Sequence, residues 1–497
     1  MSAKPNIVFI FPDQQRGDVV GFAGNPVVKT PNLDRFAAES VSFSRCITNS
    51  PVCMPARMSI MSGKHPCQHG MWANNVDGNP EQPNHVRNIR DAGYRTAQVG
   101  KVHLHVRTPG DGHSREHAHK MHAWGFDDTH ELRDIMAYAV ADCYYTDFLR
   151  EKGTLEPFRN YMRLIVRGEN QGTLLPWETP PSALPDEQSL DMYTANSAGK
   201  WIEEYDDDKP FYLQVMFPGP HNPFDSSAAD RALYDPEDMP LSIVARTEGP
   251  VSRQVERSRK SGGLAHMTPS QDRLMRLYYY AKVTHIDRGI GLVLGALEKR
   301  GVLDDTWVIY TSDHGEMLGD HRCRNKALFY EGALTVPLCI RPPGGVTGWR
   351  TSALTDHLDV VETMLEIAGA ATLDGEELRS SLVSKIANGA AAEDAHVGKD
   401  VAFSEVRLFS MVRSDQHKLT VDSLTREPLE LYDMESDPEE LKNLVDDPAF
   451  EGVRRDLTEG HLNGLLDRLD HEKVQKYQAT LKANPNRGGW RAIEQAA

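Results

Sequence analysis

The chain has 497 residues, 55 basic against 72 acidic, for a net charge of −17; this length suggests about three domains, although single α/β units often run longer. The acidic balance, with no basic tail, excludes a general nucleic-acid binder, and an anionic substrate would have to meet positive charge concentrated locally. Six cysteines without close pairing give no disulfide framework, and the apolar run Ile7 to Phe11 is too short for a membrane span and lacks a cleavage pattern, so a cytoplasmic protein with no membrane partner is expected.

In chain order, "NIVFIF" is a continuous apolar run closed by Pro12 and reads as a buried strand. "TPNLDRFAAES" reads as a helix, with Thr30 as N-cap, Pro31 at the first position, and Leu33, Phe36 and Ala37 on one face. "VSFSRCIT" is a short strand, and "PARMSIMSG" a short helix with Pro55 in its first turn and Gly63 just past its end. "YRTAQVGK", "PFYLQVMFPGPH", "DTWVIYTSDHG" and "LTVPLCIRPPG" are strands ending in polar, Gly or Pro residues. Helical segments such as "SLDMYTANSAGKWIEEY" and "RLMRLYYYAKVTHIDRGIGLVLGALEKRG" lie between them. This alternation predicts an α/β fold, a large and mostly parallel sheet covered by helices on both faces.

Arg246 to Gly263 is charged and poor in apolar residues, and reads as a mobile loop; Ser384 to Asp400 reads as a surface connection. Beyond it come "VAFSEVR", "FSMVRSDQHKLTV" and "LELYDM", read as three short strands, and then a polar helix. The expected division is a catalytic unit over residues 1–380 and a smaller α+β domain with a short antiparallel sheet over residues 381–497.

Sites in such sheets gather at the carboxyl ends of strands. Asp13, Lys101, His221 and Asp313 each follow an apolar run. Cys53 would sit at the mouth of the helix "PARMSIMSG", where free N–H groups and the helix dipole favour an anion and acidify a thiol. A free cysteine is otherwise most often a small buried hydrophobe. The four histidines of "HSREHAHKMHAWG" (His113, His117, His119 and His122) have no strand or cysteine context and read as a solvated or substrate-edge loop.

The stretch C-x-P-x-R at Cys53, Pro55 and Arg57, continued by "MSIMSGKHP", resembles the signature of the formylglycine-dependent sulfatases of the alkaline phosphatase superfamily. "NIVFIFPDQQ", "VGKVHLH", "FPGPHNPF", "SDHGEMLGDH" with the later Lys326, and "LELYDMESDPEELKNLV" follow in that family's order, so the resemblance spans nearly the whole chain. It implies an arylsulfatase-like enzyme that hydrolyses a small sulfate monoester to an alcohol and inorganic sulfate. Cys53 would be oxidised to formylglycine by a separate formylglycine-generating enzyme, the expected partner in maturation. A homo-oligomer is left open.

The resemblance also implies the site. Asp13, Gln14, Asp313, His314 and the modified Cys53 would hold a divalent metal. Such oxygen-rich ligands suit Ca²⁺ first, with Mn²⁺ or Mg²⁺ as alternatives. Arg57 would hold the formylglycine, Lys101 and Lys326 the sulfuryl oxygens, and Asn74 (or its neighbour Asn75) a substrate oxygen. His103 would be the base that collapses the sulfated intermediate, and His221 the leaving-group acid or a sulfate ligand. Gln14 stands where many sulfatases carry a second aspartate. Asp-Gln with Asp-His resembles the branch that includes phosphonate monoester hydrolases, so phosphonate monoester or phosphodiester hydrolysis is the alternative. Those enzymes lack the Lys-x-His pair present here as Lys101 and His103, which favours the sulfatase reading. A noncatalytic binding protein on the same fold is disfavoured because every catalytic position is filled.

Overall fold

The computed structural model describes residues 4–106, 112–138, 140–165, 174–244, 249–374, 379–387 and 398–483. Its centre is an eight-stranded sheet ordered β4-β3-β5-β1-β6-β7-β2-β8. The strands are β1 (Asn6–Asp13), β2 (Val41–Ile47), β3 (Arg95–Gly100), β4 (Asp128–Glu131), β5 (Phe211–Pro220), β6 (Thr306–Tyr310), β7 (Thr335–Arg341) and β8 (Trp349–Asp356). β5, β3 and β4 run parallel to β1 on one side and β6 on the other. Only β7 is antiparallel to its neighbours β6 and β2, which leaves β2 pointing the same way as β1 and parallel to β8. The carboxyl ends of β1, β2, β3, β5 and β6 therefore open on one edge of the sheet.

Alternation along β1 explains the two-sided burial. Ile7, Phe9 and Phe11 enter one core, with helix α2 (Cys53–Ser62) and the helix His357–Ala368; Val8 and Ile10 enter the other. That second core takes Leu33, Phe36 and Ala37 of α1 (Pro31–Ala37), Ala195, Ala198 and Ile202 of the helix Leu190–Glu204, and Ile286, Ile290 and Val293 of the long helix Pro269–Arg300. The long helix opens on a capping box, in which Thr268 accepts from the Gln271 N–H and the Gln271 side chain accepts from Thr268 N–H, and it closes at Gly301 in the left-handed region. No helix among the described residues is long and apolar enough to cross a membrane.

A second, antiparallel sheet is built from β9 (Ala402–Val406), β10 (Phe409–Arg413), β11 (His417–Asp422) and β12 (Pro428–Asp433). Ala402, Val406 and Met411 from this sheet share a cluster with Ile47 and Leu354 of the large one and with Val52, just before α2.

Several expectations need correction. "FSMVRSDQHKLTV" is two strands, because residues 414–416 turn between β10 and β11. Arg253–Gly262, expected as loop, is helical: Ser252 caps it and Gln254 and Val255 are buried. Residues 246–248 of that segment lie outside the described residues, as do residues 388–397 of the surface connection. Thr30 does not cap α1; its hydroxyl accepts from Gly21 N–H and donates to Asp34. The tail after β12 is not polar, since Leu457, Leu462, Leu465 and Leu466 are buried.

Candidate active site

Cys53 is the first residue of α2, which begins two residues before Pro55, where the sequence suggested its start. The loop leading to it is tied down from four directions. Thr48 N–H donates to Leu334 O (2.9 Å) and its hydroxyl to Asp313 O (2.6 Å). Asn49 O accepts from Glu405 N–H in β9 (3.0 Å), and Pro51 O from Ala327 N–H (2.9 Å). The Met54 N–H, one of the free donors at the helix start, goes to Asn74 Oδ1 (2.9 Å). Asn74 thus caps the nucleophile's helix through its oxygen, and Asn75 is buried beside it with no hydrogen-bond partner for its own Oδ1.

Cys53 Sγ lies 3.1 Å from His314 Nε2 and 3.7 Å from Asp13 Oδ1. One ligand atom from each of Asp13, Cys53, Asp313 and His314 falls within 4.8 Å of the others, and all four residues are buried. Two carboxylates, an imidazole and position 53 are a donor set that fits a divalent cation. Gln14, which has φ 71°, joins the cluster through its backbone: its N–H donates to Asp313 Oδ1 at 2.9 Å. Its side-chain oxygen accepts from Lys326 Nζ and its amide nitrogen donates to Glu316. Tyr279 fixes this turn, donating its hydroxyl to Gln14 O and accepting from Arg16 N–H.

Cations surround the carboxylates. Arg57 Nε donates to Asp313 Oδ2 (2.8 Å), Nη2 to Asp13 Oδ2 (3.1 Å) and Nη1 to Lys101 O, with the guanidinium 5.0 Å over the Phe11 ring. Lys101 Nζ is 2.6 Å from Asp13 Oδ2 and 2.5 Å from Asp134 Oδ2. Burial opposes ionisation of Asp13, as does Cys53, yet Lys101, His221 and Arg57 hold it at about 2. Burial would likewise raise the Cys53 thiol, but Lys326, His314, Lys101 and a hydrogen bond from His103 carry it well below its ordinary value. Burial works against a charged His314, and Asp313 and Cys53 outweigh it and raise its pKa.

His103, half-buried and at φ 54°, lies on the loop after β3, and His221 lies just beyond β5 with Nδ1 2.6 Å from Asn222 O. All the predicted site residues therefore meet at one edge of the sheet. Asp134, Glu316 and Tyr279 were missed. Glu316 sits inside the quoted "SDHGEMLGDH" and could have been found there: besides Gln14 it accepts from Leu318 N–H and Asn325 N–H. The histidine stretch, expected as a loop, is helical over Ser114–His117 and Ala118–Trp124, with His113 on Asp147, His119 on Glu116 O and His122 on Phe126 O. A second group, Asp186, Asp230 and His285, is closed by Arg288, which pairs with both aspartates.

Comparison with known proteins gives a consistent family. The sulfatase family profile matches residues 5–370, and a profile for the C-terminal part of N-sulphoglucosamine sulphohydrolase matches residues 319–466. An arylsulfatase of Clostridium perfringens is 28% identical over 456 residues, covering 90% of this chain and 91% of its own. A multifunctional alkaline phosphatase superfamily protein of Trinickia caryophylli is 28% identical over 94% of this chain and 96% of its own. Among solved structures, the phosphonate monoester hydrolase of Agrobacterium radiobacter shares the fold, with TM-score 0.77 at 24% identity, over 94% of this chain and 96% of that one.

Proposed function

Because the chain belongs to the sulfatase family, we propose that it cleaves sulfate monoesters at position 53, with Cys53 oxidised to formylglycine and a divalent cation, Ca²⁺ by preference, held by Asp13, Asp313 and His314. As a member of that family it is a sulfuric ester hydrolase. The observation that carries the finer reading is the placement of Cys53 at the start of α2, 3.1 Å from His314 and amid Lys101, Lys326 and Arg57. Hydrated formylglycine would supply a geminal diol, one hydroxyl to attack sulfur and the other to let sulfate leave as the aldehyde re-forms, and the cation would supply charge against the developing oxyanions.

The chain's own residues do the rest. Arg57 locks Asp13 and Asp313 in place, so the ligand carboxylates need not reorganise. Lys101 and Lys326 bind the nonbridging oxygens; Lys326 would exchange the neutral Gln14 oxygen for one of them. His221 gives a proton to the departing alcohol, and His103 removes the proton whose loss frees sulfate. Asn74 holds the helix mouth, with its amide nitrogen left for a substrate oxygen.

Two observations favour a second reading, a phosphonate monoester or phosphodiester hydrolase: Gln14 removes a carboxylate from the cluster, and the Trinickia relative is called multifunctional. Lys101 and His103 favour the sulfatase. The deciding experiment is kcat/KM for matched aryl sulfate, phosphodiester and phosphonate esters, with peptide mass spectrometry at Cys53. Preference for the sulfate and loss of the thiol are expected, whereas full turnover by a wholly unmodified preparation refutes the nucleophile. Asp313→Ala should lose both the cation, read by metal analysis, and most catalysis.

A further inference from the structure

We propose that Asp134 sets the charge selectivity of this site, acting through Lys101 to favour monoanionic over dianionic esters. The inference rests on the sulfatase reading and concerns a residue outside every motif singled out in the sequence.

Topology brings Asp134 there. In the parallel pairing of β3 with β4, Gly100 lies opposite Glu131, so the segments leaving both strands emerge side by side. Lys101 follows directly and Asp134 three residues on. Lys101 is 1% exposed, and its ammonium bridges Asp13 and Asp134 at 2.6 and 2.5 Å. An ammonium has three N–H donors. Both contacts here are ion pairs without hydrogen-bond geometry, so N–H donors remain for a substrate oxygen.

The two carboxylates are not equivalent. Asp13 is wholly buried and belongs to the cluster around Cys53, while the Asp134 side chain is 26% exposed. Lys101, His221 and His103 all act on the Asp134 charge, although its burial opposes them. Asp134 therefore touches the substrate-binding lysine and lies near enough to both imidazoles for their charges to act on it. Asp13 alone would neutralise Lys101, so the second carboxylate takes away positive charge where the ester's oxygens bind. A sulfate monoester carries one negative charge and a phosphate monoester up to two, so the repulsion from Asp134 weighs about twice as heavily on the dianion. Asp134 is a positioning and charge-setting residue, since it acts on the ester through Lys101.

The test uses the metal-loaded enzyme at about pH 8, where a phosphate monoester is dianionic. For wild type, Asp134→Asn and Asp134→Glu, kcat/KM is measured with an aryl sulfate and the matching aryl phosphate, and the affinity for inorganic phosphate by calorimetry without turnover. Asp134→Asn should raise the phosphate-to-sulfate ratio on the order of tenfold and tighten phosphate comparably, with Asp134→Glu within about twofold of wild type. A ratio unchanged within about twofold in Asp134→Asn, or both substrates falling together, overturns the proposal; so does a shift in Asp134→Glu as large as that in Asp134→Asn. Asp134→Ser replaces the asparagine variant if that one does not fold. If no preparation turns over aryl sulfate, the functional reading fails, and the phosphate affinities still decide the role of Asp134.

Discussion

Replacing Arg57 with methionine is the sharpest perturbation of the proposed centre. Arg57 is 2% exposed and holds two wholly buried carboxylates, Asp313 at 2.8 Å and Asp13 at 3.1 Å. Methionine keeps much of the volume and removes the charge, leaving Asp13 with Lys101 and Asp313 with no cation at that side. Breaking a buried pair by deleting one partner costs about 3–5 kcal/mol, because a desolvated charge is left uncompensated. Urea unfolding of chelator-treated protein should show a loss of that size. Ca²⁺ should then stabilise Arg57→Met more than wild type, since the cation replaces part of the missing positive charge. Arg57→Lys should recover only part of the loss, because one ammonium does not reproduce the separate Nε and Nη2 donors that the planar fork places on Asp313 and Asp13. A metal-free Arg57→Met within about 1 kcal/mol of wild type, below the range for buried pairs, would refute the argument. An equal Ca²⁺ increment in both proteins would show that the cation does not sit between these carboxylates.

His221→Ala should steepen the dependence of kcat/KM on leaving-group pKa across a series of aryl sulfates, whereas Lys326→Ala should lower all substrates about equally; parallel lines for His221→Ala and wild type would leave His221 a sulfate ligand. Burial raises the Glu405 pKa from its ordinary 4.5 to about 7, against hydrogen bonds from Cys67 N–H and Ser410. The folded protein thus keeps a proton that the unfolded chain loses first, so stability falls as pH rises from about 4.5 to 7, by about 3 kcal/mol in all. Glu405→Gln should flatten urea midpoints over that interval, and an unchanged pH slope would count against it. Gly100, at φ 112°, packs so tightly on the Met216 backbone that an added Cβ would overlap it. Gly100→Ala should therefore prise β3 from β5 just before Lys101 and abolish soluble expression, and a soluble variant of wild-type activity would contradict this.

The parts of the site legible in the sequence were those whose partners are close in the chain or lie at a strand's end. Cys53, Pro55 and Arg57 fall within one turn of helix, and Asp13, Lys101, His221 and Asp313 each close an apolar run. Asp134 had no such signal. "ELRDIMAY" has no periodicity that marks a site, and its aspartate meets Lys101 only because β4 pairs with β3. The Arg253–Gly262 helix was hidden because charged residues dominate it and only Val255 is a buried hydrophobe; its evidence is a serine cap that propensity alone does not distinguish from a turn. The split between β10 and β11 was legible, since six consecutive polar residues, Arg413 to Lys418, separate the apolar residues of the two strands; reading the stretch as one strand overlooked that break.

The clasp around the Cys53 loop carries a consequence in time. Its holding groups come from Asp313, Ala327, Leu334 and Glu405, and His314 lies 261 residues downstream of Cys53. In the finished fold the thiol is 1% exposed, so a second enzyme has no approach to it. At roughly 5–20 residues per second, translation takes on the order of 20–70 s to deliver the far side of that clasp. During this interval Asn49 to Pro66 is a linear peptide, and the whole C-x-P-x-R signature can be read without any tertiary structure. On the proposed oxidation, the active fraction of a preparation is then fixed by a race between oxidation and closure during synthesis. A chain that closes first stays a thiol for good, and folded protein supplied later with the oxidising enzyme remains inactive.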